Sequence, residues 1–348
     1  PKAADRLGVV YTPGEIVRFM IRSADWLCEQ HFGKNLVDPG VEILDPATGT
    51  GTYIVELLEY FRGQPDKLKQ KYREELHANE VAILPYYVAN LNIEATYQAI
   101  TGQFAEFEGL CLVDTLDNVE GLEQHAGDQL SMLGAMSDEN IERVRRQNQR
   151  RISVIIGNPP YNANQRNENE NNKNREYPHI DDRIKRTYIK ESTAQKTKLY
   201  DMYSRFYRWA SDRLGEDGIV AFVTNNSFLD ARTFDGFRKR MAQEFSEAWV
   251  VDLKGNAYTS GARRQREGGN VFEDKIKVGV AVAFFVKKKG EMPFSVKYLA
   301  VDDHVAEEDK RSFIASRNIS LDDFETIRPS HDGTWLNQAP KSEWSRFL

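Results

Sequence analysis

The stretch Val41-Glu42-Ile43-Leu44-Asp45-Pro46-Ala47-Thr48-Gly49-Thr50-Gly51-Thr52 decides the fold. Its first five residues read as a short strand, and the glycines that follow make a tight turn. Beyond the turn, Ile54, Leu57, Leu58 and Phe61 recur at helical spacing. A strand, a glycine turn and a helix form the opening unit of an α/β sheet, in which ligands bind beyond the carboxyl ends of the strands. A dinucleotide fingerprint would carry a third glycine and a Walker loop would carry Gly-Lys-Ser/Thr; this turn has neither. An acid at the strand end, Asp45, suits a ligand bearing an amino group better than one bearing phosphates.

The alternation extends in both directions from this unit. Upstream, Thr12-Pro13-Gly14-Glu15 reads as a helix start, with Thr12 as N-cap, Pro13 at the first helical position and Glu15 closing a capping box. Ile16, Phe19, Met20, Ser23 and Leu27 then keep helical spacing. Downstream, strands are expected at 76–80, 109–114, 153–157 and 219–224, with helices at 86–100, 200–214 and 234–245. The closing strands are expected at 249–253 and 278–286. Strands alternating with helices imply a mostly parallel sheet covered on both faces, and the late strands imply an antiparallel pair at one edge.

The 348 residues are 40% hydrophobic and 29% charged, enough to bury a core, and the net charge is −6. Basic residues nonetheless cluster: Arg183, Lys185, Arg186, Lys190, Lys196 and Lys198 stand against the single acid Glu191. Cys28 and Cys111 lie far apart with no histidine cluster, which fits neither a disulfide framework nor a zinc site and points to a reducing, cytoplasmic setting. No apolar run approaches the roughly 18–20 residues of a membrane span. The stretch 162–174, centred on Asn-Glu-Asn-Glu-Asn-Asn-Lys-Asn, has no apolar periodicity and reads as a surface loop. The chain starts at Pro1 and stops at Leu348, and both ends read as cuts from a longer protein.

Two constellations carry chemistry. In the first, Glu80 and Asp114 stand at the ends of the second and third strands, beside Asp45 at the end of the first. Three acids at consecutive strand ends next to a glycine turn outline an adenosine site: Glu80 for ribose hydroxyls, Asp114 for an adenine amino group, Asp45 for the amino-acid part. The second constellation is Asn158-Pro159-Pro160-Tyr161, directly after the fourth strand. Two prolines stiffen the loop and leave carbonyls free. The Asn158 side-chain oxygen and the Pro159 carbonyl can both accept from one planar amino group, freeing its lone pair for attack on a methyl sulfonium. Tyr161 offers a ring on which a flat base can stack.

Together, Asp45-Pro46-Ala47-Thr48-Gly49-Thr50-Gly51 and Asn158-Pro159-Pro160-Tyr161 resemble the amino-methyltransferase family, most nearly its gamma-type adenine-N6 DNA methyltransferases. Val10-Tyr11-Thr12-Pro13 resembles the segment that closes over the cofactor there, and Val271-Phe272 the stretch whose aromatic meets the target base. The polar insert and Trp335-Leu336-Asn337-Gln338 look like the methylase module of large single-chain (type I-like, ISP) restriction-modification enzymes. The resemblance implies a Rossmann-like class I methyltransferase fold, with a mostly parallel seven-stranded sheet, an antiparallel edge pair and helices on both faces.

It further implies S-adenosylmethionine as cofactor, held by Tyr11, Thr12, Asp45, Pro46, Ala47, Thr48, Gly49, Gly51, Glu80 and Asp114. Asn158, Pro159, Pro160 and Tyr161 would be catalytic, with Tyr161 and Phe272 sandwiching a flipped-out base in double-stranded DNA. Arg183, Lys185, Arg186, Lys190, Lys196 and Lys198 would then meet the phosphate backbone. The implied domains are a cofactor-closing segment at 1–38 and a catalytic core at 39–302 with an insert at 162–198. A linker and the start of a target-recognition domain would occupy 303–348, with other domains of a longer polypeptide as partners. Two alternatives stay open: methylation of a protein glutamine amide, an RNA base or cytosine N4, and a DNA-recognition module without catalysis.

Overall fold

The computed structural model describes residues 11–118, 138–161, 176–194, 197–290, 293–317, 319–320 and 324–338. The chain runs through α1 (Gly14–Phe32), β1 (Ile43–Asp45), α2 (Thr52–Phe61) and α3 (Pro65–Gln70) into β2 (Leu76–Glu80). Then follow α4 (Ile83–Thr101), β3 (Leu110–Leu112), α5 (Asp138–Gln149), β4 (Val154–Gly157) and α6 (Pro178–Ile184). The second half comprises α7 (Met202–Arg213), β5 (Gly218–Asn225), α8 (Asp235–Glu244), β6 (Glu247–Lys254) and α9 (Gly261–Glu267). It closes with β7 (Val280–Lys287), β8 (Ser295–Ala300), α10 (Glu307–Ala315) and β9 (Glu325–Ile327).

The strands form one nine-stranded sheet in the order β3-β2-β1-β4-β5-β7-β6-β8-β9. The first five in that order run parallel, in registers such as Ile43 beside Leu76 and Ile155 beside Val220. β5 is buried along its whole length, as expected of a central strand covered on both faces. Its side chains alternate as the pleat requires. Ile219, Ala221 and Val223 join α1, α2 and α4 on one face, while Val220 and Phe222 join α6, α7 and α8 on the other.

Several expectations change at the second half of the sheet. The strands at 249–253 and 278–286 do pair antiparallel, but not at an edge. β7 inserts between β5 and β6 and runs antiparallel to both. β8 then adds parallel to β6, and β9 antiparallel to β8, which makes nine strands where seven were expected. Only Val296 in the two added strands is fully buried, and both strands mix polar with apolar residues, so neither showed as an apolar run. Beyond β9, Trp335 is 1% exposed and packs among Phe228, Phe285 and Phe294. No helix among the described residues is long and apolar enough to cross a membrane.

The start of α1 also differs. Pro13, not Thr12, is the N-cap, and no side chain caps the helix. Thr12 is buried and turned to another partner, described next.

Candidate active site

Because β3, β2, β1 and β4 are parallel neighbours, their carboxyl ends line up at one edge of the molecule. Asp114, Glu80, Asp45 and Asn158 therefore stand side by side in that order. The turn after β1 is tied to the next strand: the Thr48 amide donates to the Asn79 carbonyl (2.9 Å) and the Gly51 amide to the Thr48 carbonyl (2.9 Å). Gly51 enters α2 at φ 86°, a left-handed conformation that glycine adopts freely.

Asp45 is completely buried. One oxygen accepts from the Ala47 amide (3.2 Å), and Oδ2 has no hydrogen-bond partner. Burial pushes its carboxyl up to about 7, with the Ala47 amide and the nearby Thr48 hydroxyl pulling the other way. Room for this side chain comes from Gly157 at the end of β4, where a Cβ would sit 2.7 Å from Asp45 Oδ1. Glu80 accepts from the Gly49 amide and the Ala82 amide, both at 2.8 Å. Burial raises its carboxyl too, against those two donors.

Asp114 accepts from the Leu116 amide (3.1 Å) and from the Tyr177 hydroxyl (3.1 Å). Thr115 donates to the Pro46 carbonyl (2.5 Å) and accepts from the Asn79 side chain (3.1 Å). The ends of β1, β2 and β3 are thus cross-linked, which fixes the spacing of the three acids.

The fourth strand end carries the loop of Asn158, Pro159, Pro160 and Tyr161. Asn158 Nδ2 donates to Thr12 Oγ1 at 2.9 Å, so the residue expected to cap α1 instead orients this amide. Asn158 Oδ1 accepts from the Tyr161 hydroxyl at 2.5 Å. Pro159 is buried and Pro160 exposed. Tyr161 is buried, and its ring meets Phe272 edge to face, with centroids 6.3 Å apart and planes at 73°. The two aromatics expected to sandwich a base are therefore adjacent but not parallel. Tyr11, beside Thr12, is 61% exposed.

The basic run is arranged unevenly. Arg183 makes a two-pronged ion pair with Asp212 of α7 (2.9 and 2.6 Å), and Arg186 pairs with Asp182 (2.8 Å). Lys185 and Lys190 are exposed and form no ion pair among the described residues. Lys196, the insert 162–174 and Val10 lie outside the described residues, as does the side chain of Lys198.

A four-strand edge with three acids, a glycine turn and an oriented asparagine matches a known grouping. The profile of the Eco57I restriction-modification methylase family covers residues 38–258. The chain belongs to that family. No curated protein sequence matches this methylase, but solved structures resemble it throughout. The DrdV–DNA complex shares 57% identity and a TM-score of 0.90 over 99% of the methylase and 32% of the DrdV chain. A nuclease-deletion mutant of the Type ISP restriction-modification enzyme LlaGI, in complex with a DNA substrate mimic, shares 37% identity and a TM-score of 0.90 over 97% and 28%. The ATP-dependent Type ISP enzyme LlaBIII bound to DNA shares 36% identity and a TM-score of 0.89 over 98% and 23%. The methylase spans about a third or less of those chains.

Sequence reasoning missed two residues of this strand-end cluster. Gly157 was read only as a strand residue, although its lack of a side chain is what admits Asp45. Tyr177, far along the chain from Asp114, could have been flagged only as the aromatic before Pro178 at the restart of helical structure.

Proposed function

We propose that the chain transfers a methyl group from S-adenosylmethionine to N6 of an adenine flipped out of double-stranded DNA, as the modification part of a longer restriction-modification enzyme. The observation that carries this reading is the Asn158 amide, oriented by Thr12 at the end of the strand next to that of a buried acid, Asp45, one of whose oxygens has no hydrogen-bond partner. The residues fit the cofactor. Asp45 Oδ2 is a buried acceptor awaiting a donor or cation, Glu80 keeps lone pairs beyond the two bonds it makes, and no phosphate cradle is present in the turn.

When bound, S-adenosylmethionine supplies an electrophilic methyl group. Asn158 Oδ1, which has a second lone pair beyond the one Tyr161 uses, and the Pro159 carbonyl would accept the two N–H bonds of the adenine amino group. Accepting both bonds draws the nitrogen toward tetrahedral geometry and exposes its lone pair. Tyr161 and Phe272 would close on the flat faces of the base, compensating part of the few kcal/mol of unstacking. Tyr11, Thr12, Pro46, Ala47, Thr48, Gly49, Gly51 and Asp114 would complete the cofactor pocket. Of the basic run, Lys185 and Lys190 have free ammonium groups for phosphates, whereas Arg183 and Arg186 would have to exchange carboxylate partners. DrdV, LlaGI and LlaBIII were each solved with DNA or a DNA mimic, which supports a DNA partner and further domains here.

The test follows labelled methyl from S-adenosylmethionine into mixed-sequence duplex DNA, comparing the full-length protein with its Asn158→Ala variant. Label recovered as N6-methyladenine and lost in the variant is the expected result. Cofactor binding without label in DNA would refute the DNA substrate and direct attention to protein amides and RNA.

A further inference from the structure

We propose that Lys310 of α10 is a positioning residue for target-base capture, holding the loop that carries Phe272. The assignment rests on the base-capture role of Phe272 proposed above. Lys310 is wholly buried. Its ammonium donates to three backbone carbonyls: Leu253 at the end of β6 (2.8 Å), Glu267 at the end of α9 (2.7 Å) and Gly269 (2.7 Å). All three N–H bonds are thus used, with no carboxylate among the acceptors.

Burying an ammonium is costly, and a hydrocarbon side chain of similar length would fill the same space at a lower desolvation cost. What the ammonium adds is geometry, because one atom locks two separate stretches of backbone together.

The neighbouring contacts concern the same loop. Arg311 donates to the Val271 carbonyl (3.2 and 3.1 Å), the residue before Phe272. Asn270 donates to the Gly255 and Val278 carbonyls and accepts from the Phe272 amide (3.2, 2.9 and 2.9 Å). The approach of the loop to the start of α10 leaves no space for side chains. A Cβ on Gly268 would stand 2.2 Å from the Val305 carbonyl oxygen, and Gly268 has φ 66°. At its other end α10 is held to α1, since Arg22 donates to the Ala315 and Arg317 carbonyls, both at 3.0 Å. One short helix therefore joins the element that follows Thr12 to the loop that presents Phe272.

The charge on Lys310 provides an independent handle. Burial lowers its ammonium to about 8; Glu267 of α9 and Asp252 of β6 oppose the shift, and Lys254 and Arg264 add to it. Above that pH the amine has only two N–H bonds for three carbonyls.

The experiment uses the full-length protein, with Lys310→Met and, from the half-exposed neighbour, Arg311→Leu. Cofactor affinity is measured by calorimetry, and methyl transfer to mixed-sequence duplex DNA gives apparent KM and kcat. Both variants should bind cofactor as wild type does, while the apparent KM for DNA rises about tenfold, the scale of one weakened base–aromatic contact. Wild type should show a smaller rise in KM as pH passes about 8, since the neutral amine keeps two of the three bonds. A Lys310→Met protein with wild-type DNA kinetics would overturn the assignment. Should that variant fail to fold, unchanged DNA kinetics in Arg311→Leu together with a flat pH profile in wild type would overturn it. Wild-type protein that transfers no methyl to DNA would sink the functional reading and this assignment together, whereas active wild type with unaltered variants would sink this assignment alone.

Discussion

Asp45→Asn should remove a pH dependence from cofactor binding. The Asp45 carboxyl is raised from its ordinary 3.8 to about 7 because it is fully buried. At about 1.4 kcal/mol per pH unit, ionising it inside the free protein costs on the order of 4 kcal/mol. Below neutrality the group is therefore mostly protonated, and a cationic ligand must first have it ionised. Binding of S-adenosylhomocysteine, which keeps the ammonium but lacks the methyl, should tighten as pH rises. The gain should approach tenfold per unit between about pH 5.5 and pH 7 and level off above, with release of roughly one proton in the acid range. Titration calorimetry in two buffers of different protonation enthalpy reads both quantities. Asp45→Asn should bind weakly and with a flat profile.

The stability sign follows from the same shift. A carboxyl raised in the folded state contributes stability that is fully present below its unfolded value of 3.8 and is lost as pH rises through about 7. Cofactor-free Asp45→Asn protein should therefore be more stable than wild type above neutrality, by up to about 4 kcal/mol. Wild-type affinity that stays constant across this range, with no proton released, would refute the reasoning that Asp45 meets the ligand's positive charge.

Two other outcomes follow from the geometry. Thr12→Val removes the acceptor of Asn158 Nδ2 and should slow methyl transfer to DNA about tenfold, the equivalent of one lost hydrogen bond in a buried site, with Thr12→Ser restoring it; equal rates for Val and wild type would exclude the orienting role. Arg208, 1% exposed, pairs with Asp212 and Glu244. Arg208→Met leaves Asp212 to Arg183 and Glu244 to Arg240, so it should lower urea-unfolding stability by about 1–3 kcal/mol, and a loss under about 0.5 kcal/mol would count against a structural network there.

Local pattern alone determined the first half of the sheet and the chemistry at its edge. β2 is buried although it carries His77, Asn79 and Glu80, but the runs at 43–44, 154–156 and 219–223 are both apolar and buried. Parallel strands covered on both faces leave such continuous runs in the sequence. Once the strands lie in the order β3-β2-β1-β4, Asp114, Glu80, Asp45 and Asn158 come together at their carboxyl ends. The glycine turn and the Asn-Pro-Pro-Tyr loop are equally local, because glycine and proline act on the backbone that carries them.

Tertiary structure alone decided where β7 goes. An antiparallel strand can pair at an edge or insert between β5 and β6, and only the long-range register of Val220 with Phe285 and of Val250 with Ala283 distinguishes the two. It also decided that β8 and β9 extend this sheet and that α10 packs on α1, because only Val296 of the two strands and Lys310 and Ile314 of the helix are fully buried, so no periodic apolar signal marked them. The partners of polar side chains were likewise beyond local pattern. Thr12 could cap a helix or orient Asn158, and Arg183 could meet a phosphate or Asp212. In each case the choice rests on a residue distant in the chain, brought near only when the sheet and its helices have packed.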